Sequence, residues 1–127
     1  MELNNGLYTV ESTEVTGEGF DALIRLNPSH FIYAAHFPGE PITPGVCILQ
    51  TALELLELFL GTVLSVERVK NVKFLKVITP GGTPLVRFRF RTVQESEGTI
   101  SAQCTVDTEC EAYAKLSLTC TRRTGRS

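Results

Sequence analysis

The sequence predicts an α+β domain in which one antiparallel sheet wraps a single long helix. Three observations lead there: one unbroken apolar stretch between Pro44–Gly45 and Gly61, six β-like segments split two before it and four after it, and no second helix of comparable length. The whole of 1–127 reads as one domain, a length that lets a single core bury about two-thirds of the surface of the unfolded chain.

Residues 7–15 (LYTVESTEV) and 19–27 (GFDALIRLN) alternate loosely between apolar and polar and are separated by Gly17 and Gly19, so they read as a hairpin. Residues 28–43 hold Pro28, Pro38, Gly39 and Pro41, too much punctuation for a regular element, and are expected to form a shaped loop. The helix then opens at Pro44–Gly45 and stops at Gly61. It is apolar around most of its circumference, as an enclosed element should be. Gln50, Glu54 and Glu57 are the exceptions, and their i, i+4, i+7 spacing puts them on one stripe that faces water or a site. Four β-like segments follow, at 66–78, 84–94, 98–109 and 111–122, separated by PGGT, ESEG and CE. Val86, Phe88 and Phe90 alternate with Arg87, Arg89 and Arg91, which predicts one buried face and one basic, solvated face.

Composition excludes several classes. The chain is 43% hydrophobic and 20% charged, as folded globular proteins are. A net charge of −2 gives nothing to draw the whole molecule to nucleic acid or anionic lipid. No apolar run approaches the roughly 20 residues of a membrane span. The N-terminal MELNNGLYTV lacks the basic flank and apolar run of a secretory signal, which makes the cytoplasm the expected compartment. Cys47, Cys104, Cys110 and Cys120 form no CxxC pair or zinc-type spacing and are expected to be reduced, buried thiols.

The chemistry is concentrated in Ala35–Gln50, AHFPGEPITPGVCILQ, where a histidine in a proline-stiffened loop feeds a helix N-terminus. This stretch resembles the HFPGxPxxPGVxxxE signature of the 3-hydroxyacyl-[acyl carrier protein] dehydratases at His36, Phe37, Pro38, Gly39, Pro41, Pro44, Gly45 and Val46. A second stretch, Asn71-Val72-Lys73-Phe74 through Val77, Thr79, Pro80, Gly81 and Leu85, resembles that family's later NVKF…VxPGxxL strand.

The resemblance implies a hotdog fold, assembled as a homodimer or a trimer of dimers with each active site at the dimer interface. It also implies removal of water from a (3R)-hydroxyacyl chain carried on acyl carrier protein. In that family the histidine matched by His36 takes the C2 proton, a role that suits an imidazole titrating near neutrality. The glycine matched by Gly45 donates its N–H to the thioester carbonyl, where free N–H groups and the helix dipole favour developing negative charge. Phe37, Val46, Ile48 and Leu49 are expected to line the acyl tunnel. No metal or redox cofactor is implied; the substrate brings its own phosphopantetheine.

Gln50 stands where the family carries its acid, a Glu or Asp fourteen residues after the histidine. An amide donates a hydrogen bond but no proton, which would remove acid catalysis of roughly 100- to 10,000-fold. The family often reads ExxxQ along this helix, and here the order is Gln50-x-x-x-Glu54, which makes Glu54 a candidate displaced carboxylate one turn further on.

The remaining polar groups have plainer readings. His30 is expected to be a loop residue, Glu57 part of a solvated helix face, and Cys47 a core thiol with no base spaced to activate it. Arg87, Arg89, Arg91, Arg122 and Arg123 read as solvated strand faces, with the acidic surface of acyl carrier protein as the alternative partner of a basic edge. Two rival functions remain open. One is a hotdog thioesterase using Glu54. The other is a non-catalytic subunit that binds acyl carrier protein beside an active homologue.

Overall fold

The computed structural model describes residues 2–35, 39 and 41–123. Strands β1 (Tyr8–Val15) and β2 (Phe20–Leu26) form the expected hairpin, followed by a short helix α1 (Phe31–Ala35) and the long helix α2 (Gly45–Leu60). Four strands complete the chain: β3 (Leu64–Phe74), β4 (Leu85–Ser96), β5 (Thr99–Asp107) and β6 (Ala112–Arg122). All pair antiparallel in one six-stranded sheet of order β1-β2-β4-β5-β6-β3, with α2 against its inner face. Among the described residues, no helix is long and apolar enough to cross a membrane.

Period-two alternation makes the sheet one-sided. Val86, Phe88 and Phe90 are buried together with Ala102, Cys104, Leu116 and Leu118 on the inner face. Against them α2 buries Cys47, Ile48, Ala52, Leu55 and Leu56. Near the helix C-terminus, Phe59 stacks on Phe20 at 4.1 Å between ring centroids, and Phe20 stacks in turn on Phe90 at 4.4 Å. This three-ring column ties the last turn of α2 to the middle of the sheet and sets the angle at which its other end is presented.

Four expectations need correction. The loop at 28–43 contains α1, which starts because the His30 Nδ1 accepts the N–H of Ile32 and so supplies the missing first-turn acceptor. The strand expected at 66–78 begins earlier, at Leu64, and ends at Phe74. Glu57 is not merely solvated, since its Oε2 accepts the Leu64 N–H at 2.8 Å and pins the start of β3 to the helix that precedes it. Of the four cysteines, Cys110 is exposed in the β5–β6 turn, whereas burial raises the Cys104 thiol far above its ordinary range and that of Cys120 to about 11.

The stop at Gly61 is as expected. Its φ of 69° is left-handed, and its N–H and that of Thr62 both reach the Glu57 carbonyl. Gly61→Ala should cost about 1 kcal/mol, because a Cβ is strained in that conformation. A lower urea midpoint with an unchanged slope checks it.

Candidate active site

The N-terminus of α2 is assembled from three directions. Pro44, at φ −62°, delivers the chain into the helix but offers no side-chain cap. Ahead of it, Thr43 donates its N–H to the Ile78 carbonyl at 2.8 Å and shares a 3.0 Å hydrogen bond with the buried Tyr33 hydroxyl of α1. From β3, the Phe74 ring lies against Gly45, so close that a Cβ there would sit 2.8 Å from Cζ. The glycine is therefore what lets the ring close over the first turn. The N–H groups of Gly45 and Val46 have no intrahelical acceptor and sit at the positive end of the dipole.

One turn and two turns further on stand Gln50 and Glu54. Glu54 is buried, and four donors meet its carboxylate: the N–H of Leu3 and the Gln50 Nε2 on Oε2, both at 2.8 Å, and the N–H of Asn4 and the Tyr8 hydroxyl on Oε1, both at 2.9 Å. A charge taken from water is tolerable only with such a shell. The Tyr8 hydroxyl, fully buried and beside this carboxylate, is raised well above its ordinary value of 10, by burial first and by Glu54 second. Glu54 thus clamps the N-terminal turn, the start of β1 and the Gln50 amide onto one point of α2.

The other site residues separate. Ile48 is buried and lines a narrow apolar cavity beside α2 with Leu7, Ile24, Leu26, Val86 and Phe88. Leu49 is half-buried, and Val46 is 62% exposed. His36 and Phe37 lie outside the described residues. Cys47 is buried, its thiol raised by desolvation, as a packing residue's would be. Sequence reasoning did not single out Tyr8 or the Leu3–Asn4 backbone as partners of Glu54, nor the Phe74 cover on Gly45. A carboxylate inside an otherwise apolar helix was the available signal that such partners exist.

A helix clasped by one antiparallel sheet, with a glycine at its uncapped N-terminus, defines the hotdog-fold class. The chain belongs to the ApeI-like family: the family model, described as ApeI dehydratase, matches residues 12–116. The 3-hydroxyacyl-[acyl-carrier-protein] dehydratase FabZ of Latilactobacillus sakei subsp. sakei (strain 23K) is 33% identical over 105 residues, covering 76% of this chain and 75% of that protein. FabZ of Chlamydia pneumoniae is 28% identical over 119 residues, 87% of this chain and 74% of that protein. Among solved structures, the dehydratase heterocomplex ApeI:P from Xenorhabdus doucetiae superposes with a TM-score of 0.63 at 19% identity, covering 89% of this chain and 96% of that one. A hypothetical thioesterase from Streptococcus pneumoniae TIGR4, with coenzyme A, superposes with a TM-score of 0.63 at 12% identity, covering 94% and 88%. Both show the hotdog fold alone.

Glu54→Ala removes the acceptor for four donors at once, including two backbone N–H groups, and should cost about 3 kcal/mol. Tyr8→Phe, which takes away one donor, should cost about 1 kcal/mol in the same denaturation experiment. The Tyr8 shift also sets an alkaline limit. A phenol whose folded pKa is raised contributes full stability below its unfolded pKa near 10 and loses it as pH climbs beyond. Part of that alkaline loss should be missing from Tyr8→Phe when melting is followed from pH 8 to 11.

Proposed function

We propose that the protein dehydrates a (3R)-hydroxyacyl thioester carried on acyl carrier protein, with His36 as the base. The observation that carries this reading is the Gly45 turn: two N–H groups at an uncapped helix N-terminus, covered by Phe74, placed nine residues after the histidine. Those N–H groups would accept the charge that builds on the thioester oxygen as His36 removes the C2 proton. The elimination then needs a proton on the departing C3 hydroxyl. Gln50 cannot provide one, and both oxygens of Glu54 are committed to the N-terminal clamp. The proton taken by His36 is therefore handed to the hydroxyl as the C3–O bond breaks, releasing water and regenerating the neutral imidazole. Gln50 orients the hydroxyl rather than protonating it, and Glu54 is a positioning residue.

A homodimer is supported by β3, an edge strand with Val66, Val69, Val72 and Phe74 all exposed. We assign that edge to pairing with a second copy, since a long edge strand left open offers unpaired backbone groups and these exposed apolar side chains to a partner.

Purified protein given 3-hydroxyacyl-[acyl carrier protein] should yield an enoyl product lighter by the mass of one water, and His36→Ala should abolish it. The wild-type rate should lie about 100-fold or more below that of a relative bearing the acid, and should rise with pH through the histidine range without a falling limb. Gln50→Glu places a second carboxyl beside Glu54. Two such groups share a proton with one pKa strongly raised, so this variant should gain rate about 10-fold or more and acquire a falling alkaline limb. An inert wild type switched on by Gln50→Glu would identify a binding subunit instead. Free acid as the product would identify a thioesterase.

A further inference from the structure

Two threonines, Thr43 and Thr51, line the narrow cavity beside α2, and both are buried. Thr51 is turned along the helix, its Oγ1 donating to the Cys47 carbonyl at 2.7 Å. Thr43 bears on the Gly45 turn, because it lies two residues before the glycine. A Ser or Thr hydroxyl accepts the backbone N–H two residues ahead of it, a local bond of the kind that makes these residues helix caps. Thr43 precedes Pro44, which confines it to extended backbone, and its own N–H is held by the Ile78 carbonyl at 2.8 Å. From extended backbone a capping side chain reaches the first N–H groups of a helix. With the Thr43 backbone fixed, rotation about its χ1 decides whether Oγ1 occupies the Gly45 N–H.

Tyr33 sets that rotation. Its hydroxyl lies 3.0 Å from Thr43 Oγ1 in a buried pair, and α2 opens with no side-chain cap hydrogen bond. Tyr33 is itself placed by the start of α1, where His30 Nδ1 accepts the Ile32 N–H at 3.1 Å and the His30 carbonyl accepts the Tyr33 N–H at 3.2 Å. The ring is part of the apolar core, and burial pushes the phenol above its ordinary value, so the hydroxyl keeps its proton at neutral pH. Removing one partner of a buried hydrogen bond leaves the other with its full desolvation penalty, which drives it toward any donor within reach. For Thr43, the local donor is the Gly45 N–H.

We propose that Tyr33 is a positioning residue, which holds the Thr43 hydroxyl and so keeps the Gly45 N–H open for the thioester oxygen. A helix N-terminus that is to bind developing charge has to be left uncapped by its own chain. Tyr33 thereby accounts for a capping residue type that stands at the start of α2 and does not cap. What enters the turn rests on the function proposed above; the contest between Tyr33 and the Gly45 N–H for the Thr43 hydroxyl does not.

The test compares Tyr33→Phe, which strands the Thr43 hydroxyl, with Tyr33→Phe/Thr43→Val, which removes both hydroxyls and leaves neither without a partner. In protein carrying isotope-labelled glycine, the Gly45 amide resonance should move in Tyr33→Phe and its exchange with solvent should slow about tenfold, and both should return to wild-type values in the double variant. Given 3-hydroxyacyl-[acyl carrier protein], Tyr33→Phe should lose about tenfold in kcat, and the double variant should recover to within about threefold of wild type. A Gly45 amide that ignores Tyr33→Phe, whether or not the melting temperature falls, would overturn the proposal and leave the Tyr33–Thr43 bond a structural one. So would a captured amide with an unchanged rate, or a loss of rate that Thr43→Val does not rescue. Dehydration by wild type with the Gly45 amide unmoved in Tyr33→Phe would defeat only this inference. Capture of the amide, reversed in the double variant, in a protein that dehydrates nothing would support it and defeat only the catalytic reading.

Discussion

A single buried carboxylate holds the described structure together at the point where its parts meet. Glu54 lies inside the fold on α2, where an unpaired charge would cost several kcal/mol, and the cost is offset because four donors converge on it. Two of those donors are backbone N–H groups of Leu3 and Asn4, so the N-terminal turn is ordered by a charge-assisted contact rather than by apolar burial alone. A third is the Tyr8 hydroxyl at the start of β1, and the fourth is the amide of Gln50. The carboxylate thus couples the sheet's first strand to the orientation of the side chain at the family's acid position.

The two faces of the sheet divide the work. The inner face is apolar and stacks Phe90, Phe20 and Phe59 to fix the far end of α2, which leaves its N-terminus facing the Thr43–Tyr33 loop and Phe74. The outer face is polar and ionic, partly compensated over β4, where three arginines meet two aspartates, and left cationic over β6 and β3. Both properties come from the same alternation of side chains along a pleated strand.

Much of this was legible in advance because the signals are local. Breakers at Pro44–Gly45 and Gly61 bound a helix whatever surrounds it, and the Val-Arg-Phe-Arg-Phe-Arg run of β4 must put its two residue types on opposite faces. The short helix α1 was missed because its start depends on a His30 side-chain acceptor, which punctuation counting does not see. The Glu57 bond to Leu64 and the exposure of Cys110 were missed for a related reason: each depends on where a neighbouring element falls in space.

By itself the sequence determined the fold class, the extent of the helix, the inward set of β4 and the motif that carries the family resemblance, since each rests on spacing along the chain. Only the tertiary structure decided which donors meet Glu54, because they lie 46 to 51 residues away except for Gln50. It likewise decided that Gly45 must admit the Phe74 ring and that Lys73 faces Lys115. Hydrogen bonds, close ring contacts and cross-strand charge pairs form between groups that folding brings together, and no local pattern encodes which groups those will be.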